Sequence, residues 1–132
     1  MSEVKVFVYG TLKVGGYFAK RFDGVRLSSV KATVSGKLYG GKDYPRLLLA
    51  PEEEACLVYG ELHTYFKADE VIKAMDSIEG YREDQSKVYN LYNRKLIKVK
   101  LEDGTEEEAF IYEYAHKPEF DADVLESGKW EI

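Results

Sequence analysis

The chain has 132 residues, within the roughly 100 to 200 of one domain, so a single domain over residues 1–132 is expected and two-lobed architectures are excluded. Hydrophobic residues make up 45% and charged residues 33%, and a chain of this size buries roughly 68% of its unfolded surface, enough for a true core. Nineteen Lys and Arg against 24 Asp and Glu give a net charge of −5, which argues against nucleic acid as a partner.

Val4, Val6 and Val8 alternate with Lys5, Phe7 and Tyr9, a β-branched and aromatic run that predicts a mostly buried first strand. Gly10 to Gly16 carries three glycines and predicts a loop open to unusual backbone angles. Tyr17 to Phe22 has room for a short helical turn. Alternation from Ala32 to Tyr39, an apolar run from Arg46 to Ala50 after Pro45, and the stretch Ala55 to Tyr65 predict three further strands. From Ala68 the period changes: Ala68, Val71, Ile72, Met75 and Ile78 fall at helical spacing, with Asp69 and Glu70 in the first turn and Gly80 as the stop. Val88 to Leu101 and Thr105 to Tyr114 read as two strands joined by a turn at Asp103-Gly104. The tail after His116 is too mixed to assign beyond loop, with room for one helical turn. About six strands and one main helix make the fold class α+β, with a sheet that curls or closes.

Cys56 cannot form an internal disulfide, and with His63 and His116 as the chain's two histidines there is no Cys/His metal framework, so no metal is expected and a reducing cytoplasm fits best. Charge begins at Glu3 and Lys5 and no apolar run approaches 18 residues, so neither a leader nor a membrane span is expected. Cys56 lies within an apolar strand run, where a buried, inert thiol is the reading.

Two places could carry chemistry. The loop Tyr9, Gly10, Thr11, Leu12 follows a buried strand, and glycines there let backbone N–H groups converge on an anion; an ordinary glycine turn is the alternative. It is not a phosphate-binding P-loop, because Gly16 and Tyr17 stand where Lys and Ser or Thr are required. The second place is Glu79, at the helix C-terminus, where the macrodipole disfavours its charge; it is either a general base or a solvated helix end. Asp76, three residues earlier, is too close to form a glycosidase pair. Tyr81, Tyr89, Tyr92, Tyr112 and Tyr114 are either cavity lining or sheet packing, and Arg94 either clamps a carboxylate or pairs with a nearby acid.

Taken together, Val6 to Gly15 (VFVYGTLKVG), Tyr44-Pro45, Val58 to Leu62 (VYGEL), Met75 to Gly80 (MDSIEG) and Leu91 to Arg94 (LYNR) resemble the γ-glutamylcyclotransferase-like, or AIG2-like, family in order and spacing. Gly128 to Trp130 resembles its terminal glycine and tryptophan. Met75 stands where leucine is usual, a volume-conserving exchange. The motif with the short chain is most similar to the γ-glutamylamine branch.

The resemblance implies a small mixed β-barrel with the helix beside the cavity mouth. It also implies a γ-glutamyl amide or amine as small-molecule substrate, with Tyr9, Gly10, Thr11 and Leu12 as binding loop and Glu79 as catalytic glutamate. The implied reaction is attack of the substrate's own α-amine on its γ-carbonyl, giving 5-oxoproline and a freed amine. That reaction calls for no protein nucleophile, metal or cofactor. The alternatives are a non-catalytic binding module on the same barrel, or a hydrolase releasing glutamate.

Overall fold

The computed structural model describes residues 2–10, 12–40, 45–50, 56–116, 123–125 and 128–130. Its strands are β1 (Glu3–Val8), β2 (Arg26–Gly40), β3 (Arg46–Leu49), β4 (Cys56–Phe66), β5 (Tyr92–Leu101), β6 (Glu106–Tyr114) and β7 (Asp123–Val124), with one α-helix, α1 (Ala68–Glu79). The strand order is β3-β2-β4-β1-β6-β5, and β5 pairs back onto β2 at Ala32↔Leu101 and Thr33↔Lys100. Five strands thus close into a barrel, with β3 and β7 attached to β2 outside the closure. Pairing is antiparallel except between β1 and β6, so the barrel is mixed, and the α+β expectation with one helix holds.

The period-two pattern of β1 separates two apolar clusters. Phe7 points with Ala32, Leu38, Leu62, Val99 and Ile111 into the barrel, whereas Val4, Val6 and Val8 face Val71 and Met75 of α1. A strand covered on both faces needs a near-continuous apolar run, and β1 has one apart from Glu3 and Lys5. Lys5 reaches the edge and pairs with Glu107 on β6. Close approach is also written into Gly60 on β4: a β-carbon there would sit 2.4 Å from the Val8 carbonyl oxygen and 2.7 Å from the Phe7 ring.

The six expected strands are present with altered bounds, and two-residue β7 adds a seventh. β2 starts at Arg26 rather than Ala32. Its first residues run outside the barrel, largely exposed, and are held by backbone pairing to β4 rather than by an inward apolar face, so the sequence carries no alternation there. β5 starts at Tyr92 because Lys87–Tyr89 form a 3-10 turn, and Asn90 turns the chain into the strand. The β5–β6 hairpin turns at Asp103-Gly104 as expected, with Gly104 at φ 87°. Tyr17 to Phe22 resolves to a 3-10 turn at Ala19–Phe22. Among the described residues, no helix is long and apolar enough to cross a membrane. The Cys56 side chain lies outside what is described.

Candidate active site

The helix ends as its sequence dictates. Gly80 takes the left-handed conformation at φ 66°, its N–H bonding back into the last turn, and Tyr81 donates to the Asp76 carbonyl at 2.9 Å. Leu91 N–H then donates to the Gly80 carbonyl at 3.0 Å, fixing the helix end against the entry to β5. Glu79, the last helical residue, is thereby aimed at the end of β1.

Glu79 lines a cleft with Phe7, Val8, Tyr9, Gly10, Leu12, Pro45, Tyr92 and Tyr112. Three of the four residues expected to bind substrate therefore share one cavity with Glu79; the fourth, Thr11, lies outside the described residues. The glycine loop works differently from its sequence-level reading. Gly10 is needed for space, since a β-carbon there would stand 2.7 Å and 2.8 Å from the Pro45 ring, while of Gly10, Gly15 and Gly16 only Gly15 has positive φ. The Gly10 carbonyl accepts from Lys13 N–H at 3.0 Å, and no described residue accepts from the N–H of Gly10 or Leu12.

The phenols of the cleft are fixed by hydrogen bonds. Tyr9 Oη donates to the Tyr112 carbonyl, Tyr92 Oη to the Pro45 carbonyl at 2.5 Å, and Tyr112 Oη to Asp76 Oδ1 at 2.8 Å. Burial, then the neighbouring Tyr92 and Glu79, holds the Tyr9 phenol well above its ordinary range, so it stays neutral. Burial alone pushes the Glu79 carboxyl up to about 7. Among the described residues, no basic side chain pairs with it. The space beside it that water can reach is small, about 30 Å³.

Arg94 takes the simpler of its two roles. It pairs with Asp76 at 2.6 Å and with Glu83 at 2.5 Å, stacked between the Tyr81 and Phe110 rings, and so leaves the Glu79 carboxyl unlowered. Asp76 is committed to Arg94 and Tyr112, and does not line the Glu79 cleft. Of the five tyrosines near the helix end, only Tyr92 and Tyr112 line the cleft. Tyr81 lies under Arg94, Tyr114 packs on Tyr92, and Tyr89 is exposed. His63 is buried elsewhere, between Tyr65 Oη at 2.6 Å and Glu61 at 2.8 Å, and His116 is exposed beside Tyr114.

Two roles escape the sequence-level reading. Pro45 forms the wall opposite Gly10, although Tyr44-Pro45 reads in the sequence only as a motif of the resemblance and as the start of a strand. Asn90 is 1% exposed; it accepts from Arg82 N–H and Gln85 and donates to the Arg82 carbonyl and Asn93, binding the loop behind Glu79. In the sequence Asn90 falls inside the predicted strand Val88 to Leu101, whereas in the fold it lies between a 3-10 turn and β5, so nothing local signals its role.

A closed mixed barrel with a solitary carboxylate at a helix end, set against a glycine loop and phenols, defines a small enclosed site. The chain belongs to the γ-glutamyl cyclotransferase, AIG2-like family, whose sequence profile it matches over residues 6–132. It is 37% identical over 101 residues to the γ-L-glutamyl-butirosin B γ-glutamyl cyclotransferase of Niallia circulans, a match covering 76% of this chain and 60% of that protein. The matched part of the chain thus spans well under the full length of that relative. Among solved structures, an AIG2-like protein from Mus musculus aligns with a TM-score of 0.69 at 23% identity, covering 99% of this chain and 90% of that one. A protein from Pyrococcus horikoshii aligns with a TM-score of 0.64 at 21% identity, covering 96% and 88%. At these identities the two structures speak to the fold alone.

Proposed function

We propose that residues 1–132 act as a γ-glutamylcyclotransferase with Glu79 as general acid and base. The observation that carries the reading is a carboxyl raised to about 7, without a basic partner, in the same cleft as the Tyr9–Leu12 loop. Family membership and the cyclotransferase relative support the same reaction class.

Glu79 takes a proton from the substrate's α-ammonium. The freed amine attacks the γ-amide carbonyl, forming the new C–N bond and a tetrahedral oxyanion. The intermediate collapses by breaking the original C–N bond while Glu79 returns the proton to the departing nitrogen; the ring nitrogen gives up its second proton, which the released amine takes up as an ammonium, leaving neutral lactam 5-oxoproline. The nucleophile arrives with the substrate, so positioning supplies a large share of the acceleration and the mechanism asks for no metal or cofactor. A carboxylate at 4.5 facing an α-amine near 8 is mismatched by roughly 5 kcal/mol; at about 7 the mismatch falls to roughly 1 to 2 kcal/mol. The N–H groups of Gly10 and Leu12 are the candidate donors to the oxyanion or the α-carboxylate. The single cysteine fits a reducing, cytoplasmic setting.

A second reading is a binding module that kept the barrel without turnover, since a fold and its pocket do not by themselves make an enzyme. Incubation with a panel of γ-glutamyl amines and γ-glutamyl amino acids, with products identified by mass, separates the cases. Release of 5-oxoproline supports the cyclotransferase. Free glutamate identifies a hydrolase, and binding without product identifies a module.

A further inference from the structure

A larger cleft, about 420 Å³, lies where the barrel closes, with β2 paired to β4 on one side and to β5 on the other. Thr33 marks the closure, flanked by Tyr59 on β4 and Lys100 on β5. Lys13, Lys31, Lys100 and Lys129 line this cleft, against two carboxylates, Glu61 and Glu102. In a chain where acids outnumber bases 24 to 19, the local balance is reversed.

Two of the four ammonium groups are held in place. Lys13 Nζ donates to the Trp130 carbonyl at 2.7 Å, and Lys129 Nζ lies 5.2 Å from the centre of the Tyr59 ring. Glu61 is already engaged, accepting from Val14 N–H at 2.9 Å and touching His63 at 2.8 Å, and it also feels Lys13, so the four lysines outnumber the carboxylates of the cleft without being wholly unopposed. Gathering like charges in a concavity costs Coulomb energy that a counter-ion relieves, and a concave wall of one sign concentrates anions. The volume lies in the range of small-ligand sites.

We propose that this cleft binds a small polyanion, a phosphorylated or polycarboxylate molecule, at a site separate from the Glu79 cleft and joined to it through Lys13. The connection is covalent and short. Leu12 lines the Glu79 cleft and Lys13, its neighbour, lines the cationic one. Lys13 is tied to Trp130, whose ring lies against Gly10: a β-carbon on Gly10 would stand 3.9 Å from it.

The test titrates the full chain with pyrophosphate in one arm and citrate in the other, at constant ionic strength with chloride as control, following backbone amide resonances. Saturable shifts at Lys31, Thr33, Tyr59 and Lys100 are expected, extending to Gly10 and Trp130. Saturation by pyrophosphate alone selects a phosphorylated ligand, and saturation by citrate alone a polycarboxylate. Lys31 and Lys100 are both exposed, and the double variant K31A/K100A, with its fold checked by its amide spectrum, should bind roughly tenfold more weakly, the combined effect of two solvent-accessible charge contacts. Non-saturating shifts, or equal affinity in the double variant, overturn the site. Shifts that stop short of Gly10 and Trp130 overturn the link to the Glu79 cleft.

Discussion

Replacing Glu79 by glutamine keeps the side chain's size and removes its charge, so activity and stability should respond in opposite directions. In the folded protein the carboxyl is raised from 4.5 to about 7 by burial, so between those values the folded state holds a proton that the unfolded chain has released. Stability therefore falls as pH rises through this window, and above it the ionised carboxylate costs the wild-type protein roughly 2 to 3 kcal/mol, allowing for its partial exposure. At pH 4 both proteins carry a neutral group and should be equally stable. At pH 8 the Glu79→Gln variant should be the more stable, by an amount corresponding to roughly 10 °C in melting temperature for a domain of this size. Chemical denaturation at the two pH values reads the difference directly. In the same variant, 5-oxoproline formation should drop by about two to four orders of magnitude, as for loss of a general base. A stability difference that does not change with pH would refute the buried-carboxylate argument, and retained turnover would remove Glu79 from the mechanism.

For the wild-type protein, kcat/KM should rise with pH along a limb centred near 7 as Glu79 loses its proton, and a midpoint near 4.5 would contradict the raised carboxyl. Gly10→Val forces a side chain into the Pro45 ring, and overpacking of roughly 1 to 3 kcal/mol should weaken binding of a γ-glutamyl ligand; unchanged affinity by calorimetric titration counts against the loop. Trp130, the chain's single tryptophan, lies by Gly10, so its fluorescence offers a second readout of the same titration. Asn90→Ala removes a buried side chain and leaves part-buried partners on Arg82, Gln85 and Asn93, and should lower stability by roughly 1 to 3 kcal/mol in urea unfolding; a loss below roughly 0.5 kcal/mol would show the network to be incidental.

The parts of the fold legible in the sequence are those where one residue pattern answers to one physical demand. Val4, Val6 and Val8 had to be buried, and the 3.6-residue spacing from Ala68 to Ile78, closed by Gly80, required a helix that stops there. Glu79 stood out because a carboxylate at that end is electrostatically misplaced. The first half of β2 was illegible, since backbone pairing alone holds it and leaves no trace in side-chain polarity. Arg94 could not be assigned from sequence because Asp76, Glu79 and Glu83 all lie on the segment before it and spacing does not choose among them; the packing in the folded chain selects Asp76 and Glu83. The role of Pro45 arises from a contact with Gly10 across 35 positions, which no local pattern records.

The position of β1 bears on how the chain folds. This strand is made first, yet its two neighbours in the barrel are β4 and β6, so its hydrogen-bonding partners arrive only with residues 56–66 and 106–114. Pairings of such long sequence separation require large loops to close before any contact rewards them, which places the domain among slow folders. During synthesis Val4, Val6, Phe7 and Val8 stay uncovered until β4 and α1 have emerged, and one edge of β1 stays unpaired until β6 follows, an interval in which that edge is open to pairing with another chain.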